Sequence, residues 1–205
     1  MRISKILAMV VVVLALSGFA LQADDLNLTN ITYNPIPAGF NAGGGSFGGA
    51  ILDGVALPWV YCVQLHTTVS MTDYPDTIVD TTGVIQNSDG LLHPDLLAAE
   101  RIAYLLGQYA WGADTEHQVA LQAAIWNAEG YGVLTGGTGN EQTYYSAMLL
   151  NAGLGNVADY RWLTPGIGTN HEFQGLVTAP DGGMTLMLLG GVLVGLETLR
   201  RKHRV

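Results

Sequence analysis

Cys62 is the only cysteine in the 205-residue sequence, and it lies within the apolar stretch Trp59-Val60-Tyr61-Cys62-Val63. A single thiol has no internal disulfide partner, so either it is a buried inert side chain, an intermolecular link or an accident, or it does chemistry. Further along stands Leu121-Gln122-Ala123-Ala124-Ile125-Trp126. On a helix Gln122 lies three residues after Val119, three before Ile125 and four before Trp126, so it points with apolar neighbours. A buried primary amide is costly unless something satisfies it. The ordinary answer is a hydrogen bond to adjacent backbone. The chemical answer is that a thiolate held against the amide attacks its carbonyl, expels ammonia and leaves an internal thioester. Proximity would supply most of the barrier reduction.

The elements that must position this pair are partly legible. From Leu26 to Leu65 the pattern is β-like: Leu26 to Tyr33 alternates, Gly43 to Gly49 is glycine-rich, and Trp59 to Val63 is apolar. Met71 to Leu92 holds a β-branched piece, Thr77 to Thr82, among turn residues, which predicts a strand or hairpin. After Pro94-Asp95 the period changes. Ala98, Ile102, Leu105, Leu106 and Tyr109 form one helical stripe that should end near Trp111-Gly112. A second helix is expected from an N-cap at Asp114 or Thr115, with Thr115 and Gln118 at capping-box spacing, to about Glu129 before Gly130. A third runs from Glu141 to Asn151, with Gly153 as its stop. Tyr160 to Leu163 and Glu172 to Val177 read as closing strands. The expected fold class is α+β, an antiparallel β-sandwich or barrel with a central helical insert.

With strand and helix in this order, the Tyr61-Cys62 and Gln122-x-Ala-Ile-Trp motifs resemble the thioester domains of bacterial surface adhesins. The resemblance spans roughly Ser46 to Trp126. It implies that Cys62 is the thiol and Gln122 the acyl donor, with Tyr61, Ile125 and Trp126 packed around the bond. Two positions depart from the family pattern: Leu121 precedes the glutamine where Thr is common, and Gln64 follows the cysteine where an acidic residue is common.

Both ends of the chain carry apolar runs. Arg2 and Lys5 precede Ile6 to Leu16, followed by the small residues Ser17, Gly18, Ala20 and Ala23. This reads as a secretory signal peptide over residues 1–23, shorter than a membrane-spanning helix. Residues 179–205 begin at Ala179-Pro180-Asp181-Gly182-Gly183, continue through an apolar helix over 184–199 that is expected to enter the membrane, and close on Arg200-Arg201-Lys202-His203-Arg204. Pro180-Asp181-Gly182-Gly183, the apolar helix and Arg200-Arg201-Lys202 together resemble the PEP-CTERM class of bacterial sorting signals. That resemblance implies processing by an exosortase-type enzyme, and hence an inner-membrane intermediate followed by residence in the envelope or extracellular matrix.

Between these ends, residues 24–178 form the expected exported domain. Its only cations are Arg101 and Arg161 against fifteen carboxylates, a formal charge of 2 minus 15, or −13. Nucleic-acid binding needs a basic footprint and is not expected. Gly43, Gly45 and Gly48 satisfy a dinucleotide fingerprint, and Gly44, Ser46 and Gly48 a nucleophile elbow. Neither has the strand-to-helix context its mechanism requires. The histidines lack metal-ligand spacing, and Asp73, Asp76, Asp80 and Asp89 lack the Gly and Glu of a calcium loop. No metal or cofactor is expected. A hydrolase triad of Cys62 with His93 or His117 and Asn127 has no signature around the thiol, so an enzyme is the least favoured class. Two expectations remain: covalent attachment to surface amines or hydroxyls through a Cys62–Gln122 thioester, or a noncovalent structural envelope protein in which that bond is lost.

Overall fold

The computed structural model describes residues 24–40, 45–65, 67, 69–83, 85–86, 92–93, 96–110, 114–166 and 173–178. The signal peptide and the sorting signal expected from the sequence lie outside them. Chain order runs β1 (Asp24–Asn27), β2 (Thr32–Tyr33), β3 (Phe47–Gly48), β4 (Ile51–Leu52), β5 (Val55–Ala56), β6 (Val60–Cys62), β7 (Asp73–Asp80), β8 (Ile85–Gln86) and β9 (Leu92–His93). Then come α1 (Leu96–Tyr109), α2 (Thr115–Ala128), α3 (Gly139–Leu150), a 3-10 turn at Val157–Asp159, β10 (Arg161–Thr164) and β11 (Leu176–Thr178). The fold is α+β, and the helices are inserted between strands of one antiparallel sheet.

That sheet has nine strands in the order β2-β3-β6-β11-β10-β7-β1-β4-β5, and β8 and β9 form a separate hairpin. The strands curl into a half-barrel whose described ends, β2 and β5, do not pair with each other. The sandwich or barrel expected from the sequence is thus seen among the described residues as one antiparallel sheet curled into a half-barrel. Part of the curl has a local cause. The register of β1 against β7 shifts between Asp24 and Leu26, and such an irregularity bends the strand.

The alternating run from Leu26 to Tyr33 is not one strand. Asn27 Oδ1 accepts hydrogen bonds from the Thr29 N–H at 3.1 Å and the Thr29 hydroxyl at 2.7 Å, which turns the chain after β1. A second turn joins β4 to β5 at Asp53 (φ 50°) and Gly54 (φ 76°). Both residues are left-handed, as a two-residue hairpin loop of the favoured twist requires.

The helices follow their predicted stripes, with corrections at the caps. α1 buries Ala98, Ala99, Ile102, Ala103, Leu105 and Leu106. α2 is capped by Asp114, whose side chain accepts the His117 N–H at 2.6 Å. The capping box read at Thr115 and Gln118 is not used, because Gln118 is buried and bonded to the sheet. α3 starts at a capping box formed by Thr138 and Glu141 and ends on Asn151 rather than Gly153. Gly153 instead lies where a Cβ would come within 2.6 Å of the Tyr104 ring, so it allows the loop to pass close over α1.

α2 is buried at every position from Gln118 to Trp126. A helix buried all round must have partners on all sides. α1 and α3 pack against it, and Gln118 and Gln122 reach β6. Among the described residues no helix is long and apolar enough to cross a membrane.

Candidate functional site: a thiol strand clamped by glutamines

β6 lies between β3 and β11, with Val60 opposite Phe47 on one side and Cys62 opposite Leu176 on the other. The Val63 N–H bonds Gly175 C=O at 2.9 Å. Because backbone groups alternate in direction along an antiparallel strand, the N–H and C=O of Cys62 therefore point away from β11. The Gln122 side chain of α2 meets them there. Cys62 N–H donates to Gln122 Oε1 at 3.0 Å, and Gln122 Nε2 donates to Cys62 C=O at 2.7 Å. The amide thus takes the place of a strand partner and satisfies both backbone groups of the thiol residue. This is the ordinary fate the sequence offered for a buried glutamine, and it falls on the residue that carries the only thiol.

The thiol itself donates to Gly45 C=O at 3.0 Å. Cys62 and Gln122 are both fully buried. Burial pushes the Cys62 thiol well above the usual thiol range, because the anion would lose its solvation. Tyr33 shares this environment. Burial, followed by the proximity of Cys62 and Tyr74, pushes its hydroxyl up to about 12. The Tyr33 ring meets Phe47 edge-on at 5.3 Å.

A second glutamine of α2 holds the neighbouring residue. Tyr61 hydroxyl donates to Gln118 Oε1 at 2.6 Å. Gln118 and Gln122 are one turn apart on one helix face, so α2 grips β6 at two consecutive residues, by side chain at Tyr61 and by backbone at Cys62. Tyr61→Phe deletes one buried bond and keeps the ring. It is expected to cost about 1–2 kcal/mol, read as a lower urea midpoint with an unchanged slope; an unaltered midpoint would show that this contact contributes nothing.

Ile125 and Trp126 are fully buried, and the Trp126 ring lies 5.2 Å from that of Phe40. Of the five residues singled out from the sequence, Tyr61, Cys62, Ile125 and Trp126 belong to one hydrophobic core, and Gln122, fully buried, is joined to it through its bonds to Cys62. Three partners were not foreseen. Gly45 lay in the glycine-rich stretch Gly43 to Gly49, which was given no role at the thiol. Gln118 was read as part of a cap, although its place four residues before Gln122 was the available signal. Gln174 had none, because only the β6–β11 register makes it a neighbour.

The alternative triad is not assembled by these contacts. His117 Nε2 is 3.0 Å from Tyr109 C=O, its ring faces Tyr144, and Asn127 Nδ2 bonds Gly132 C=O at 2.8 Å. The His93 side chain and the sorting-signal residues Pro180, Asp181, Gly182, Gly183, Arg200, Arg201 and Lys202 lie outside the described residues. Among the described residues no three His, Cys, Asp or Glu side chains gather as a metal site would require. No protein-family model matches the chain, and neither a curated protein nor a solved structure is significantly similar to it.

Proposed function

We propose that the chain is an exported, envelope-anchored or extracellular-matrix protein whose Cys62–Gln122 pair forms an internal thioester for one-time covalent attachment. The observation that carries this reading is the double hydrogen bond between the Gln122 amide and the backbone of the thiol residue. A pre-positioned pair converts an intermolecular encounter into an intramolecular step. The thiol must leave Gly45 C=O and turn to the Gln122 amide carbon. The Sγ–Cδ bond forms, the Cδ–Nε2 bond breaks, and the thiol proton leaves with the nitrogen as ammonia. An external amine or hydroxyl then attacks the same carbon and frees the thiol. Nothing turns over. The terminal segments support the setting: a signal peptide, and a sorting signal that an exosortase-type enzyme would process after membrane insertion through residues 184–199.

A noncovalent structural role is favoured by one specific feature of the same contact, since both amide atoms of Gln122 are already satisfied where they are. Intact mass separates the two readings. The full chain, purified in detergent micelles, is expected to weigh one ammonia less than its sequence, to gain one whole molecule of methylamine on exposure, and to do neither as Cys62→Ala or Gln122→Ala. Full mass, with a Cys62 that alkylates once denatured, would leave the pair as packing and the function as noncovalent.

A further inference from the structure

Next to the thiol residue lies a second amide pair. Gln64 is two residues beyond Cys62, and Gln174 is two residues before Leu176, the ladder partner of Cys62. At no more than about 3.6 Å per residue Gln64 stands within roughly 7 Å of Cys62 along the chain, and Gln174 bonds Gln64 directly. Gln64 is 3% exposed and Gln174 fully buried.

One end of each amide is fixed. Gln64 Oε1 accepts the Gly175 N–H at 2.9 Å and the Thr67 hydroxyl at 3.1 Å, and Gln174 Nε2 donates to Gln64 C=O. These partners set both amide orientations, because a flip would oppose donor to donor or acceptor to acceptor. The other ends, Gln64 Nε2 and Gln174 Oε1, have no hydrogen-bond partner among the described residues. Buried polar groups left this way are costly. The pair therefore presents one unused donor and one unused acceptor beside the reactive pair.

A hydroxyl matches that combination, since it donates one bond and accepts another. A neutral amine attacks through its one lone pair, so at that moment it has only N–H donors left: it would satisfy Gln174 Oε1 but could not accept from the N–H of Gln64, whereas a hydroxyl oxygen keeps a second lone pair for that bond. We infer that Gln64 and Gln174 form the acceptor subsite of the thioester and select a hydroxyl over an amine, so that attachment is through an ester. This rests on the thioester reading above. In the step, the hydroxyl oxygen attacks the Gln122 carbonyl carbon, the carbon–sulfur bond breaks, and the hydroxyl proton passes to the Cys62 sulfur.

The test measures, by intact mass of the full chain in micelles, the rates of adduct formation with glycerol and with methylamine. Gln64→Glu keeps the acceptor used by Gly175 and removes the unused donor; Gln174→Met removes the unused acceptor. In variants that still lose ammonia, the glycerol-to-methylamine rate ratio should fall about tenfold, the scale of one hydrogen bond. An unchanged ratio would overturn the subsite while leaving the thioester intact. Loss of the ammonia deficit in both variants would also overturn it, by making the pair part of the scaffold for bond formation. A wild type of full mass removes the thioester reading and the subsite with it. Methyl glucoside and a serine-containing peptide, as competing acceptors, then tell a saccharide hydroxyl from a protein one.

Discussion

Gln122→Leu is expected to be the most destabilising single change in the sheet–helix contact. The substitution keeps an apolar side chain of similar length and removes both atoms that pair with Cys62 N–H and C=O. These groups are buried between β6 and α2, so each loses a partner without gaining water. At about 1–3 kcal/mol for each unsatisfied group, the loss is roughly 2–6 kcal/mol, a large share of the 5–15 kcal/mol that holds a typical domain. Urea unfolding followed by circular dichroism should show a much lower midpoint. A loss under about 0.5 kcal/mol would mean that other groups satisfy the strand, and would remove the basis for treating the amide as a clamp. Gln122→Glu sharpens the test. A protonated carboxyl can both accept from Cys62 N–H and donate to its C=O, whereas a carboxylate can only accept. Burial and that donated bond raise the folded-state pKa above the unfolded value of about 4.3. The variant should therefore be most stable below that value and weaken as pH rises through the folded pKa.

The part of the site that could be read from the sequence is the part written in periodicity. Gln122 on an apolar helix face and Tyr61-Cys62 in an apolar strand require only the helical and strand periods, and the structure brings them into contact. Helix positions were legible for the same reason. Caps were less so, because Asp114 and Thr115 both suit the N-cap of α2 and only tertiary contacts choose between them; Gln118 bonds Tyr61 and so is not spent on a capping box. The break after β1 is marked by a slip in parity that a reading of the whole run as alternating passes over: Leu26 and Leu28 keep one parity and Ile31 and Tyr33 the other, and the chain turns between Leu28 and Ile31, both buried. The contacts of Gly45 with the thiol and of Gln174 with Gln64, made from segments beside β3 and β11, depend on strand order β3-β6-β11. That order joins segments far apart in sequence, and no local pattern encodes it.

Alkaline pH should unfold the protein in a single steep step. Burial raises the hydroxyls of Tyr33, Tyr61, Tyr74, Tyr131, Tyr145 and Tyr160, Tyr33 to about 12. The carboxylates of Glu129 and Asp159 add to the effect at Tyr131 and Tyr160 respectively. Each group is neutral when protonated, so the fold resists its ionisation, while an unfolded tyrosine ionises near pH 10. The sign follows from proton binding. Above about pH 10 the native state keeps protons that the unfolded state has released, so stability is fully present below that value and falls as pH rises towards 12. Every proton retained in this way adds about 1.4 kcal/mol per pH unit to the slope. The retained protons together steepen that fall, and each molecule that unfolds releases its remaining phenol protons at once. Phenolate absorbance and loss of far-ultraviolet dichroism should then rise together in one cooperative transition, and Tyr61→Phe should make the fall in stability with pH shallower by up to one proton. Gradual phenolate formation near pH 10 with the dichroism unchanged would show that the sheet and helices tolerate charged tyrosines, and that these hydroxyls reach water in the folded chain.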